Sequence, residues 1–298
     1  MSGLLAALDN LSSIPGVRIF AGVLFFVALL YLVVRFVPYL RKRRASVEYQ
    51  PAVVSYEGGG IKRGLTAPEA AVVLGVPYNQ ILAQVIFGLL NKGILIQKQT
   101  APLAVEVQVD FRTLGVVISP EARADRRRMA AQNHNVVLQG FEEPFVEVFE
   151  ANSDKLVADI DFAITVKPLT RFVARRIAGF DLEQTRNYYR LIIKRAPKEA
   201  RTEGVLVKER EKVFDRNFQW LMLHEDFEHV LEDYVPPWLR NGQVNIANGQ
   251  TFAIWALGVT ESLGNSVDVD ALKLRLGSNE DVVTATLINE IARATFFG

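Results

Sequence analysis

From Ile19 to Val34 the chain reads IFAGVLFFVALLYLVV, a run without a single charge. No other feature constrains the fold as strongly, because a backbone placed in hydrocarbon must satisfy its own polar groups and does so as a helix. A spanning helix takes about 20 mostly apolar residues. Residues 17–40 supply that length, with Arg18 and Arg35 near enough to the ends for their guanidinium groups to reach the interfaces. Tyr31 and Tyr39 suit an interfacial depth. Arg41-Lys42-Arg43-Arg44 follows directly, whereas the N-terminal flank holds only Asp9 and Arg18. The positive-inside rule then predicts a single-pass protein of the inner (plasma) membrane, with its N-terminus outside and the bulk of the chain in the cytoplasm. The expected lipid contacts are Arg35, Arg41, Lys42, Arg43 and Arg44. The alternatives are a buried core helix and a cleaved signal peptide, although the latter carries its basic residues before the apolar run and a small-x-small site after it. The next most apolar segment, Thr251–Leu257, is too short to span.

The 298 residues allow roughly two soluble domains after such an anchor. Cysteine is absent, which excludes disulfides, thiolate metal sites and cysteine nucleophiles. The net charge of +1 hides an uneven distribution. Residues 166–201 hold ten basic and three acidic side chains, and residues 202–239 hold four and nine. The two blocks either neutralise each other in the fold or leave a basic face for an anionic partner.

Punctuation divides the chain further. Residues 45–64, with Pro51 and Gly58-Gly59-Gly60, read as a linker. Thr66, Pro68 and Glu69 then form a capping-box signature opening a helix that stops at Gly75. Pro77 opens a second helix, in which Ile81, Leu82, Val85, Ile86, Leu89 and Leu90 recur at i, i+3/i+4 until Gly93. Ile94–Gln97 and Ala104–Val109 alternate as two strands around a turn at Ala101-Pro102. Helix, tight turn, helix and hairpin is the order of a winged helix. Its second helix offers a groove only Asn79, Gln80, Gln84, Asn91 and the single charge of Lys92, so it reads as a protein-contact unit and a poor DNA reader.

The segments LTAPEAAVVLG and ILAQVIFGLLNKGILIQ, placed just after a membrane helix, resemble the cytosolic part of the YciQ-like predicted bacterial membrane proteins of unknown function, over roughly residues 30–110. Those proteins carry a large β-rich domain before the membrane helix, where this chain has about 17 residues, and often a further membrane segment. The resemblance implies architecture and location, and no chemistry, since that family has no established activity.

Ser119 caps a polar helix containing Arg123, Arg126, Arg127 and Arg128, expected to be a solvated face or a contact for anionic lipid heads. Phe141–Ala151 reads as an acidic amphipathic helix with Phe145, Val148 and Phe149 inward. Helices follow over Leu169–Ile177 and, capped by Asp181, to Arg195. Arg186, Arg190 and Lys194 recur every four residues as a stripe that would meet an anionic partner. A long helix is expected over Glu209–Tyr234, residues 243–264 are ambiguous, and two short helices with Asn279 between them are expected to Gly298.

The catalytic-looking string is His224-Glu225-Asp226-Phe227-Glu228-His229. Its histidines are five apart, about 140° around a helix, where a zinc protease needs four. Gly58–Gly60 lacks the Lys-Ser/Thr of a phosphate cradle, and no G-x-S-x-G occurs. Neither catalytic group, cofactor nor metal ligand is therefore assigned.

The expected fold class is α+β, mainly α. Its order is an extracytoplasmic stretch 1–16, a transmembrane helix 17–40, a basic segment and linker 41–64, a winged-helix-like domain 65–118, a helical domain 119–239 and an α/β or helical subdomain 240–298. The expected function is a non-enzymatic scaffold or accessory subunit of a membrane complex, whose partners are membrane lipids and membrane proteins or further copies of the chain. The alternative is a membrane-tethered regulator that binds nucleic acid through residues 166–201. No small-molecule substrate is evident.

Overall fold

The computed structural model describes residues 59–115, 119–200, 214–215, 217–231, 234–240, 251–266 and 282–297. The apolar segment 17–40, the cluster Arg41–Arg44 and Asn279 lie outside them. Among the described residues no helix is long and apolar enough to cross a membrane. The chain divides into Met1–Val54 and Ser55–Gly298, and all the described residues belong to the second unit.

The described residues are mainly helical, with one two-stranded hairpin. Helix α1 (Ala67–Leu74) begins as its signature predicts. Glu69 accepts both the Thr66 backbone N–H, at 2.7 Å, and the Thr66 hydroxyl, at 2.8 Å. Its end is a Schellman turn: Gly75 has φ 68°, its N–H reaches Val72 O, and the Val76 N–H reaches Ala71 O. Helix α2 (Tyr78–Asn91) follows and ends the same way at Gly93. Strands β1 (Leu95–Gln99) and β2 (Ala104–Val107) pair antiparallel, Leu95 opposite Val107 and Gln97 opposite Val105.

After the single turn Val109–Phe111 come α3 (Pro120–Asn133), α4 (Glu143–Ala151), α5 (Ala163–Ile177) and α6 (Leu182–Ala200). The caps foreseen at Ser119 and Asp181 both form, accepting N–H groups of Ala122 and Gln184. Helix α5 starts a turn and a half earlier than expected and carries Pro168 inside, because Ala163, Thr165 and Val166 also bury themselves. Helices α7 (Phe252–Ser262) and α8 (Val282–Phe297) follow among the described residues.

Helix α2 is the hub. The i, i+3/i+4 pattern predicts one buried face, yet every residue from Ile81 to Leu90 is buried. Helices α1, α7 and α8, strand β1 and the one-turn helix Pro237–Arg240 all pack around it. Phe87 stacks within 5.5–6.2 Å of Trp238, Phe252 and Trp255. Residues expected in three separate parts, 65–118, 119–239 and 240–298, thus share one core.

Two further expectations need correction. The helix over Glu209–Tyr234 is broken: after Leu221 the chain turns, and among the described residues from there to Tyr234 only Phe227–Val230 regains a helical turn. His224 Nδ1 accepts the Asp226 N–H at 3.1 Å, which satisfies the turn locally, while Leu221 and Leu231 are drawn into the core on either side. His224 and Glu228 are therefore not neighbours on a helix face. The end of the linker is also not free. Gly60 O accepts the Asp181 N–H at 2.8 Å, and the Lys62 N–H reaches Thr185 Oγ1 at 3.0 Å. The Leu65 N–H reaches the Tyr189 hydroxyl at 2.8 Å.

Candidate functional site

Helix α3 is polar, and its attachment to the rest is electrostatic. Arg127 is wholly buried, unlike the solvated arginine face expected of this helix. Its Nη2 reaches Glu150 at 2.5 Å and Thr113 Oγ1 at 2.9 Å, its Nη1 reaches Glu143 at 3.1 Å, and its Nε reaches Phe111 O at 3.2 Å. Burial raises the Glu150 carboxyl, but the N–H groups of Leu114 and Thr113 and the Arg127 guanidinium outweigh it and hold Glu150 below the usual carboxylate range. Glu143 carries no backbone donors of this kind, and burial keeps it above that range despite Arg127. This network clamps the 109–114 turn between α3 and α4.

Against that clamped turn lies an open groove of about 490 Å³. Val109 and Asp110 form one wall, and Arg126, Met129, Ala130, Asn133 and His134 the other. The spacing 126, 129, 130, 133 puts these α3 residues on one helix face. His134 Nε2 stands 2.8 Å from Asp110 Oδ2, and the ring lies against Phe111 with centroids 5.4 Å apart. The Gln108 amide and then His134 hold Asp110 below its usual range. Ionised, Asp110 only accepts, so the hydrogen lies on His134 Nε2. Val109 and Met129 are 66% and 64% exposed at the mouth. The lining offers a cation, a polarised imidazole and two apolar contacts, but no hydroxyl or thiol.

The basic stripe of α6 is only partly a surface. Arg186 turns inward, donating to Val73 O at 2.8 Å and pairing with Glu290 of α8. Its counter-charge therefore comes from α8, and from Glu183 at 3.7 Å. Arg190 stays exposed beside Glu183 and Asn187, and Lys194 is exposed. Arg35, Arg41, Lys42, Arg43 and Arg44 lie outside the described residues. Helix α2, which would enter a DNA groove in a winged-helix reader, is buried from Ile81 to Leu90, with Gln84 buried and Asn79 bonded to Thr260 O, and only Gln80 and Asn91 near its ends are exposed.

Nothing in the sequence singled out the groove. The pairing of His134 with Asp110 spans 24 residues and depends on how α3 packs on the 109–111 turn. The one local signal is Met129, the one large apolar side chain in a polar helix. Among the described residues no cluster of His, Asp and Glu could hold a metal ion. No protein-family model, no curated protein and no solved structure matches the chain.

Proposed function

We propose that this chain is a non-enzymatic, single-pass membrane protein whose cytoplasmic part is a scaffold or accessory subunit of a membrane protein complex, and that the groove between α3 and the 109–111 turn receives the partner protein. The observation that carries the partner site is the outward display of Val109 and Met129 beside Arg126 and His134. Apolar side chains rimmed by polar ones are the composition of a protein contact. The buried Arg127 network supports the reading, since it stiffens the wall that bears these residues and lowers the entropy lost on docking. The membrane anchor rests on the uncharged run and the basic cluster that follows it. On this reading the α1–α2–hairpin portion is a winged-helix-like unit used for packing, and the likeness to YciQ-like proteins reflects shared architecture.

The test is purification of the full chain from native membranes in mild detergent, alongside a Val109→Asp/Met129→Asp variant. Wild type is expected to retain a stoichiometric partner protein that the variant loses, with both showing the same helical circular dichroism. Identical co-purifying proteins, or a clean monomer in both cases, would overturn the assignment.

A further inference from the structure

The chain leaving the linker is fastened along α6. Its contacts fall at Asp181, Thr185 and Tyr189, each one helical turn apart, so residues 60–65 run up the inner side of the first turns of α6. Lys62 Nζ sits 4.7 Å over the Phe180 ring at the start of this strap. Fifteen residues lie between Arg44 and Gly60, a stretch that spans at most about 58 Å even when fully extended.

The other side of α6 carries Asn187, Arg190, Leu191 and Lys194, all exposed and spaced as one stripe. Leu191 lies about 200° around the axis from the buried Tyr189. It is 54% exposed, with Arg190 beside it and Lys194 a turn on. Lys194 pairs with no group among the described residues. A single exposed leucine is tolerated in water, and this one is flanked by long cationic side chains. It is well placed at a bilayer interface, where the leucine enters the headgroup–acyl boundary and the cations meet anionic heads.

A nucleic-acid groove fits this face less well. Arg186, the third cation of the four-residue repeat, is spent on Glu290 and Val73 O, which leaves the stripe with two outward cations beside an apolar side chain. Phosphate-backbone binding gains affinity from each cation that reaches a phosphate and gains little from an exposed leucine.

We propose that the exposed face of α6, centred on Leu191 between Arg190 and Lys194, lies on an anionic bilayer surface, an assignment that rests on the membrane-tethered reading above. Arg186 and Tyr189 keep α6 packed on the core while its outer face meets lipid.

The chain lacks cysteine, so a single Leu191→Cys substitution in the full-length protein accepts an environment-sensitive fluorophore at one place. In vesicles of phosphatidylcholine with phosphatidylglycerol the label is expected to shift to the blue and to be quenched by nitroxide on the lipid headgroup. Both signals should be lost at about 1 M salt, where the Debye length falls to about 3 Å, and in the Arg190→Glu/Lys194→Glu background. The same emission in pure phosphatidylcholine and in anionic vesicles would overturn the proposal. So would retention of the shift after charge reversal, or an equal shift on adding duplex DNA without vesicles. A second label at Phe25→Cys reads the anchor by itself, through quenching by a deep-bilayer nitroxide in either lipid. Failure there sinks the tethering reading, while the Leu191 response to added anionic vesicles still decides the face.

Discussion

Helices α2 and α3 have the same length, 14 residues, and are held in the fold by different forces. Helix α2 buries nearly every side chain and draws its stability from apolar contact on all sides. Helix α3 sends only Arg127, Ala130 and Ala131 inward and is fastened chiefly by charge. Apolar burial is non-directional, so α2 tolerates small changes of shape and loses stability roughly with the volume removed. A buried guanidinium is directional, and losing it takes the cation from Glu150, whose side chain is 6% exposed, and from the part-buried Glu143. The functional consequence is a division of labour. One helix makes the core, and the other holds a charged, partly apolar face rigidly toward solvent.

Truncation separates the two most clearly. Phe87→Ala removes the ring stacked against Trp238, Phe252 and Trp255, and is expected to lower unfolding free energy by about 3–5 kcal/mol. Arg127→Met should come close, at about 3–4 kcal/mol, because Glu150 and Glu143 lose their cation. Urea denaturation of the chain in detergent measures both. The mechanisms diverge in the double variant. Adding Glu150→Gln to Arg127→Met is expected to recover part of the loss, with a coupling of about 1–3 kcal/mol. Simple additivity would mean that α3 is held by packing after all.

Acidity is the next discriminator. The folded-state carboxyl of Glu150 is depressed, so its stabilising contribution is present above the unfolded value near 4.5 and is lost as pH falls through the lower folded value. Glu142 runs the other way. Burial raises it against Lys92, so its contribution is present below 4.5 and is lost as pH rises. Stability curves of wild type and Glu150→Gln should therefore converge in acid and separate toward neutrality. Curves that stay parallel would rule out this role for the Glu150 carboxylate.

A smaller effect is expected at the joint between α1 and α2. Gly75 has φ 68°, and an added Cβ would lie 3.3 Å from Glu290 Cβ, so Gly75→Ala should cost about 1–2 kcal/mol in the same denaturation assay. The smallest effect belongs to the groove wall. Arg126→Ala on the exposed face of α3 should change stability by less than about 0.5 kcal/mol while weakening partner retention, which dissociates recognition from folding.

Punctuation in the sequence placed the boundaries of α1 and α2 and the caps at Ser119 and Asp181 correctly, because a cap depends on residues within three or four positions of itself. The hairpin was legible for the same reason. Legibility failed wherever distant chain decided the environment. Periodicity showed one face of α2, and the aromatic residues of 238–255 that cover its other face are some 150 positions away. Arg127 sits in a run of arginines and nothing local marks it as the buried one. The break near His224 opposed a good helical pattern, because Leu221 and Leu231 reach the core from either side of a turn. None of the groove was visible, since Asp110 and His134 meet only through the packing of α3.

The sequence by itself determined the local elements of the described fold, the uncharged run that argues for an anchor, the exclusion of cysteine chemistry and the uneven charge. Each is set by residue type and short-range spacing. Tertiary structure alone decided which charges are spent. Arg127, Arg176 and Arg186 are held internally by Glu150, Glu69 and Glu290, while Arg126, Arg190 and Lys194 face outward. The reason is physical: the energy of a charge depends on its burial and on the sign of its neighbours, and both are set by parts of the chain far away along the sequence.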